Sequence, residues 1–214
     1  MLDVQIVVLA KQPLAGRTKT RLCPPLTLQQ AAEVARASLL DTLDVVLQTP
    51  VRRRLVVLDG IAEGLIPAGF DVLPQRGNGL DERLAAAMAD AFADCSLPLL
   101  LVGMDTPQVS PSLLTSCLRA LSGAPSALGL AEDGGWWVIG LHAPDEQVFL
   151  GVPMSSDRTG DAQQQRLVRR GVPPVLLPTL RDIDTVDDLV AVAALVAPYS
   201  RLAAVAMAET RESA

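Results

Sequence analysis

The residues best able to do chemistry fall into four short groups. The first lies in the segment 10–22, where Lys11, Arg17, Lys19 and Arg21 put four cations within eleven residues of a chain whose net charge is −6. Lys11 and Lys19 are the only lysines in the 214 residues. A diphosphate needs fixed donors and positive charge. Lysine supplies a compact point charge, arginine a two-pronged fork, and Gly16 lets a backbone approach closely. The spacing is not that of a Walker A loop, and on spacing alone a solvated basic loop is as good a reading as a phosphate cradle.

The second group is Gly103-Met104-Asp105-Thr106-Pro107, directly after an apolar run. A carboxylate at the end of a buried strand is well placed to hold Mg²⁺ or Mn²⁺, which take carboxylates together with substrate phosphates. A turn-initiating aspartate before proline explains Asp105 equally well. In the third group, Asp182-Ile183-Asp184-Thr185, two carboxylates are one residue apart. In extended backbone both would point the same way and repel, unless a cation joins them. Asp184 or Thr185 also fits as the cap of a following helix, and capping and ligation are compatible because each carboxylate has two oxygens. An aspartyl-phosphatase nucleophile is rejected, since that signature should end the first strand and needs a downstream lysine. The fourth group, Glu132-Asp133-Gly134-Gly135-Trp136-Trp137, reads first as a tight turn between strands. Functionally, Asp133, Gly134, Gly135 and Trp136 would border an acceptor, with Asp133 orienting it or serving as its base and Trp136 offering a flat apolar face. Trp137 should face the core, because neighbouring strand residues point to opposite faces.

Alternating elements must position these groups. Strands are expected at Val4–Ala10, Arg54–Leu58, Phe70–Leu73, Leu97–Val102, Ala127–Leu130, Trp136–Leu141 and Val175–Leu177. Helices are expected from Thr27 to about Leu47, with Thr27 and Gln30 forming a capping box, over Asp81–Ala93, from the Ser110-Pro111 start, over Asp157–Arg170, and after Asp184-Thr185. A glycine-rich turn over 75–80 feeds the second helix. This alternation predicts one α/β domain over residues 1–214, a mostly parallel sheet with helices on both faces. The last ten or so residues are expected as a frayed tail. Ligands in such sheets bind at the carboxyl ends of the strands, and all four groups sit in loops of that kind.

Composition closes off other classes. Cys23, Cys95 and Cys117 form neither a disulfide framework nor a zinc knuckle. His142 is the only histidine, and it is better placed at a strand end than in a zinc site or a serine triad. The acidic balance argues against nucleic acid. No apolar run approaches the ~20 residues of a membrane span, and the N-terminus lacks the basic start of a signal peptide, so a cytoplasmic location is the default expectation.

Taken in order, the motifs at Ala10–Leu22, Gly103–Pro107, Asp133–Trp136 and Asp182–Leu189 resemble those of the DUF2064 family of GT-A-fold proteins, often labelled glycosyltransferases of the arsenosugar-biosynthesis type. The resemblance covers about residues 4 to 190. It extends to GT-A nucleotidyltransferases, including guanylyltransferases acting on phospholactate or phosphoenolpyruvate. It implies a single-domain GT-A-like α/β/α sandwich that binds a nucleotide over its N-terminal half. Lys11, Gly16, Arg17, Lys19, Arg21 and Gly79 would lie on the nucleotide and its phosphates. Mg²⁺ or Mn²⁺ would be held by Asp105, Asp182 and Asp184, with Asp105 and Asp133 as catalytic residues. The partners implied are a nucleotide donor and a small-molecule acceptor, with a homodimer possible. The segment Pro153-Met154-Ser155-Ser156-Asp157 departs from the tryptophan-containing acceptor segment usual in the family. The Gly-Thr-Gly-Thr stretch of the guanylyltransferases is not evident, which favours the DUF2064 reading over them. Glycosyl transfer from a nucleotide sugar is expected first, nucleotidyl transfer is the alternative, and a nucleotide-binding protein without turnover is the third reading.

Overall fold

The computed structural model describes residues 2–212, and side chains as far as residue 208. One seven-stranded sheet runs through it in the order β3-β2-β1-β4-β6-β5-β7. In chain order the strands are β1 (Leu2–Lys11), β2 (Val51–Asp59), β3 (Asp71–Pro74), β4 (Leu99–Val102), β5 (Ser126–Ala131), β6 (Trp136–Leu141) and β7 (Pro174–Leu180). The helices are α1 (Leu28–Gln48), α2 (Leu80–Asp94), α3 (Pro111–Ser122), α4 (Thr159–Arg169), α5 (Val186–Ala193) and α6 (Arg201–Glu212). Every strand pair is parallel except those of β6, which runs antiparallel to β4 and β5. This is the α/β/α sandwich with a mostly parallel sheet that the alternation predicts.

Both faces of the sheet are covered, as parallel strands require. Along β1, Ile6, Val8 and Ala10 point to a core shared with Leu39 and Leu43 of α1 and Leu114 and Leu118 of α3. Val7 points to the opposite core, shared with Leu84 and Met88 of α2, Phe149, and Leu167 of α4. The period of two thus divides one apolar run between two layers. Helix α1 opens with the expected capping box. Gln30 N–H donates to Thr27 Oγ1 at 3.2 Å, and Thr27 N–H donates to Gln30 Oε1 at 2.7 Å. Ser110 caps α3, accepting from Leu113 N–H at 3.1 Å. Thr185, not Asp184, caps α5, in a capping box with Asp188.

The expected C-terminal tail is a helix up to Glu212. Leu202, Ala203 and Ala206 of α6 are buried, and α6 packs along α1. Its start is held by Asp41 of α1, which accepts from Leu202 N–H at 2.9 Å and pairs with Arg201 at 3.1 Å. The apolar positions in 202–206 that carry this packing sit just before the polar end that suggested fraying. Residues 213 and 214 lie outside the described residues. Among the described residues, no helix is long and apolar enough to cross a membrane.

A third cluster matters most for the site. Leu22 and Leu26, from the loop after β1, are buried with Ile183, Leu189 of α5 and Leu202 of α6. Burying a leucine contributes about 1.5–3 kcal/mol. The cationic loop is therefore anchored against the segment that carries Asp182 and Asp184.

Candidate functional site

Four loops open along one edge of the sheet. Three follow the carboxyl ends of β1, β4 and β7. The fourth is the β5–β6 turn, which follows the carboxyl end of β5, a strand parallel to β7, and from which β6 runs back antiparallel, with Val102 of β4 opposite Val138. Backbone hydrogen bonds tie three of the loops together. Ile183 N–H donates to the Asp105 carbonyl at 3.1 Å, and Glu132 N–H donates to the Leu180 carbonyl at 2.9 Å. The buried Ser38 hydroxyl of α1 donates to the Met104 carbonyl at 2.6 Å, fixing the turn before Asp105.

Lys19 is the hub. Its side chain is only 7% exposed, and its Nζ lies 2.7 Å from Asp105 Oδ1 and 3.5 Å from Asp184 Oδ1. The ammonium also donates to the Ile183 carbonyl. Arg21 reaches Asp184 from the other side, at 2.8 Å. Lys19 sits in the left-handed backbone region (φ 51°, ψ 34°), which costs a non-glycine residue roughly 1–2 kcal/mol. The ion pairs offset that cost. Burial works to lower the Lys19 pKa, but the Asp105 carboxylate, helped by Asp184 and Asp182, outweighs it and leaves the pKa raised. Lys19 is therefore a fixed cation under ordinary conditions.

Beside this pair stands a trio of carboxylates. Asp133, Asp182 and Asp184 each bring an oxygen to within 4.8 Å of the others. Among the described residues, no basic side chain forms an ion pair with Asp133 or Asp182. Partial burial, then the charges of Asp133 and Asp184, push the Asp182 carboxyl up to about 6. Three oxygens at this spacing fit a hard divalent cation, which favours carboxylate ligands. The sequence paired Asp105 with Asp182 and Asp184 as ligands. In the structure Asp133 completes the compact trio, and Asp105 is turned to Lys19.

The trio opens into a cleft of about 680 Å³, whose walls include Asp105, Asp133, Gly135, Trp136, Asp182 and Asp184. An adjoining cavity of about 430 Å³ is lined by Lys11, Arg17, Lys19 and Arg21, and shares Arg21, Asp105 and Asp184 with the cleft. The four cations of the first loop thus face one space. Gly16 and Gly79 line neither cavity. Gly16 supplies the positive φ (75°) of the loop's turn, and Gly79 is the N-cap of α2.

Gly134 also stands apart from the cleft lining. Its φ is +88°, and a Cβ there would lie 1.9 Å from the Asp157 carbonyl. Its own carbonyl accepts from Gly160 N–H at 2.8 Å. Gly134 is therefore a packing position that lets the β5–β6 turn meet the start of α4, rather than an acceptor contact. Trp136 is half-buried on the cleft wall, while Trp137 is buried with its Nε1–H donating to the Pro178 carbonyl at 2.9 Å. His142 lies just past β6, with Nε2 at 3.0 Å from the Leu121 and Ala124 carbonyls at the end of α3.

The resemblance places the acceptor segment at 153–157 without giving those residues a role, and the structure puts four of them on the cleft wall. Met154, Ser155, Ser156 and Asp157 line the cleft, as do Leu80 and Leu84 of α2. Ser155 is in the left-handed region (φ 56°). No spacing rule signals these residues, because they reach the cleft only through the close approach of Gly134 to Asp157.

The chain is similar to known proteins to different degrees. A phosphoenolpyruvate guanylyltransferase of Mycolicibacterium gilvum (strain PYR-GCK) is 30% identical over 200 residues, covering 88% of each chain. A crystal structure from Desulfovibrio desulfuricans G20, provisionally named a nucleotide-diphospho-sugar transferase, superposes with a TM-score of 0.88 at 25% identity, covering 99% of this chain and 96% of the other. The 2-C-methyl-D-erythritol 4-phosphate cytidylyltransferase of Thermus thermophilus shares the fold at a TM-score of 0.55 and 20% identity, covering 91% and 98%. A family described as an uncharacterized protein conserved in bacteria (DUF2064) matches residues 30–156. The chain is a member of the DUF2064 family and has a GT-A-like fold.

Proposed function

We propose that this protein is a cation-dependent transferase acting on a nucleotide-activated donor, and that the group transferred is a glycosyl unit from a nucleotide sugar. One observation carries the reading. Lys19 and Arg21 converge on Asp105 and Asp184 beside the Asp133–Asp182–Asp184 trio, at the open edge of the sheet. A basic cavity next to an acidic trio in which only Asp184 is ion-paired suits a diphosphate bridged to a divalent cation. Lys11, Arg17, Lys19 and Arg21 would hold the diphosphate. Asp133, Asp182 and Asp184 would hold Mg²⁺ or Mn²⁺, with Asp105 held by Lys19 at the margin of that site. When bound, the cation would neutralise charge developing on the leaving diphosphate. In the transfer, the bond from an acceptor oxygen to the anomeric carbon forms. The bond from that carbon to the diphosphate breaks, and the nucleoside diphosphate leaves with the electron pair. The acceptor proton passes to a cleft carboxylate, with Asp133 or Asp157 as candidates. Trp136 would stack on the transferred or accepting ring.

Nucleotidyl transfer is the second reading, favoured by the 30% identity to a protein named phosphoenolpyruvate guanylyltransferase. There an acceptor phosphate would attack the α-phosphorus of a nucleoside triphosphate and release pyrophosphate. The two readings separate in one assay. The protein is incubated with Mn²⁺, a panel of nucleotide sugars or triphosphates, and candidate acceptors, and the products are resolved. Release of a nucleoside diphosphate supports glycosyl transfer, and release of pyrophosphate supports the second reading. If no nucleotide raises the melting temperature with or without the metal, neither holds.

A further inference from the structure

We infer that the acceptor carries no negative charge: the cleft is built for an uncharged, hydroxyl-bearing molecule with an apolar face, such as a sugar or other polyol. This rests on the transferase reading above and goes beyond it. The cleft is walled by six carboxylates, those of Asp105, Asp133, Asp157, Asp182, Asp184 and Asp188, and Arg21 is the one cationic side chain among its lining residues. Arg21 is already paired with Asp184, and Lys19 lies behind, closed over Asp105. A divalent ion on the trio compensates part of this charge, but a donor diphosphate would then claim the ion and the loop cations together. Among the lining residues no unpaired cation is left for a carboxylate or phosphate on the acceptor side.

Helix N-termini are the other common anion sites, and those of α4 and α5 beside the cleft are occupied by the protein itself. At α4, Thr159 N–H donates to the Ser156 carbonyl at 3.0 Å, and Gly160 N–H donates to the Gly134 carbonyl at 2.8 Å. At α2, the Gly79 N-cap offers no side-chain cap, but the first turn carries the carboxylates of Asp81 and Glu82, which repel an anion. At α5, Asp188 fills the position, accepting from Thr185 N–H at 2.8 Å. What the acceptor side does offer is the indole of Trp136, the side chains of Leu80, Leu84 and Met154, and the Ser155 and Ser156 hydroxyls. Apolar face plus hydroxyl and carboxylate acceptors is the recognition set of a neutral polyol.

The test uses the full-length protein saturated with Mn²⁺ and the nucleoside diphosphate that stabilises it most. Neutral methyl glycosides of common hexoses are titrated against the corresponding hexose 6-phosphates, followed by tryptophan fluorescence. At least one neutral glycoside should bind about tenfold or more tightly than its phosphate ester, since like-charge juxtaposition is strongly unfavourable. Asp157→Lys, at an exposed side chain, should narrow or invert that ratio. The inference is overturned if a phosphate ester binds as tightly as its neutral partner, or if no neutral glycoside binds while an anionic one does or none does. If no nucleoside diphosphate binds with Mn²⁺, the transferase reading itself fails, and that result is separate because it appears before any acceptor is added.

Discussion

Asp182→Asn should make the metal-free protein more stable at neutral pH, although it removes a residue from the candidate site. The carboxyl is raised from 3.8 to about 6 by partial burial and by Asp133 and Asp184. A carboxyl with a raised folded-state pKa binds its proton more tightly folded than unfolded. The penalty is therefore absent below pH 3.8, grows as pH rises through the window from 3.8 to about 6, and is complete above it. At about 1.4 kcal/mol per pH unit the full shift amounts to roughly 3 kcal/mol. Asp182 is only half-buried, so solvent screening reduces this to about 1 kcal/mol. In a domain of this size that is a rise of about 2–4 °C in melting temperature. The assay is thermal melting in EDTA at about pH 7.5 and about pH 5, repeated with Mn²⁺. The gain should be about half as large at the lower pH. Mn²⁺ should raise the melting temperature of the wild type much more than that of Asp182→Asn. A variant no more stable than wild type at the higher pH in EDTA would refute the electrostatic argument. So would a gain that does not shrink at the lower pH.

Lys19→Met removes the cation shared by Asp105 and Asp184; because both carboxylates are partly exposed and Asp184 keeps Arg21, the cost should be about 1–3 kcal/mol, readable in chemical denaturation, and Lys19→Arg should recover only part of it. Leu22→Ala opens a cavity under the cationic loop, costing about 2–5 kcal/mol, and should weaken Mn²⁺-dependent nucleotide binding beyond the loss in stability. Gly134→Ala places a Cβ against the Asp157 carbonyl at a positive φ, so circular-dichroism melts should show a large loss, whereas Gly135→Ala should be milder. Trp137→Ala should cost about 3–5 kcal/mol while Trp136→Ala leaves the stability within about 1 kcal/mol of wild type and removes the fluorescence response to cleft ligands.

Much of the architecture is legible in local pattern. The capping residues Thr27, Gln30 and Ser110 announce helix starts because their side-chain oxygens satisfy orphan amides. The β-branched runs announce strands buried on both faces. What local pattern does not carry is pairing between distant segments. Helix α6 ends in polar residues, and its helicity depends on Asp41 and α1 some 160 positions away. The site shows the same division. Lys19, Arg21, Asp133, Asp182 and Asp184 stand out by type and by position at strand ends. That Lys19 closes on Asp105, and that Asp133 joins Asp182, follows from strand order and loop anchoring. Asp157 stands in the segment that the resemblance gives to the acceptor, but no local pattern marks its side chain, and Gly134 brings it to the cleft by letting the β5–β6 turn meet the start of α4.

The direction of β5 explains why these charges meet. Because β5 runs parallel to β7 and in the same sense as β4, its carboxyl end, with Asp133 just beyond it, reaches the same edge as the loops that carry Asp105 and Asp182. Reversal of β6 lets the chain turn back at once, so that Asp133 sits in a tight hairpin between the loops after β4 and β7. The hairpin requires a turn tight enough to pass α4, and Gly134 and Gly135 provide it. The Asp-Gly-Gly sequence is thus explained twice by one geometry. Its glycines permit the close approach to Asp157 and Gly160, and that approach holds Asp133 where its charge raises the pKa of Asp182. Folding brings together three carboxylates that repel one another, and a divalent cation would relieve that repulsion. Binding of such a cation would therefore be linked to stability through the same three side chains, and a substitution that quiets the repulsion should weaken the response to added metal in step.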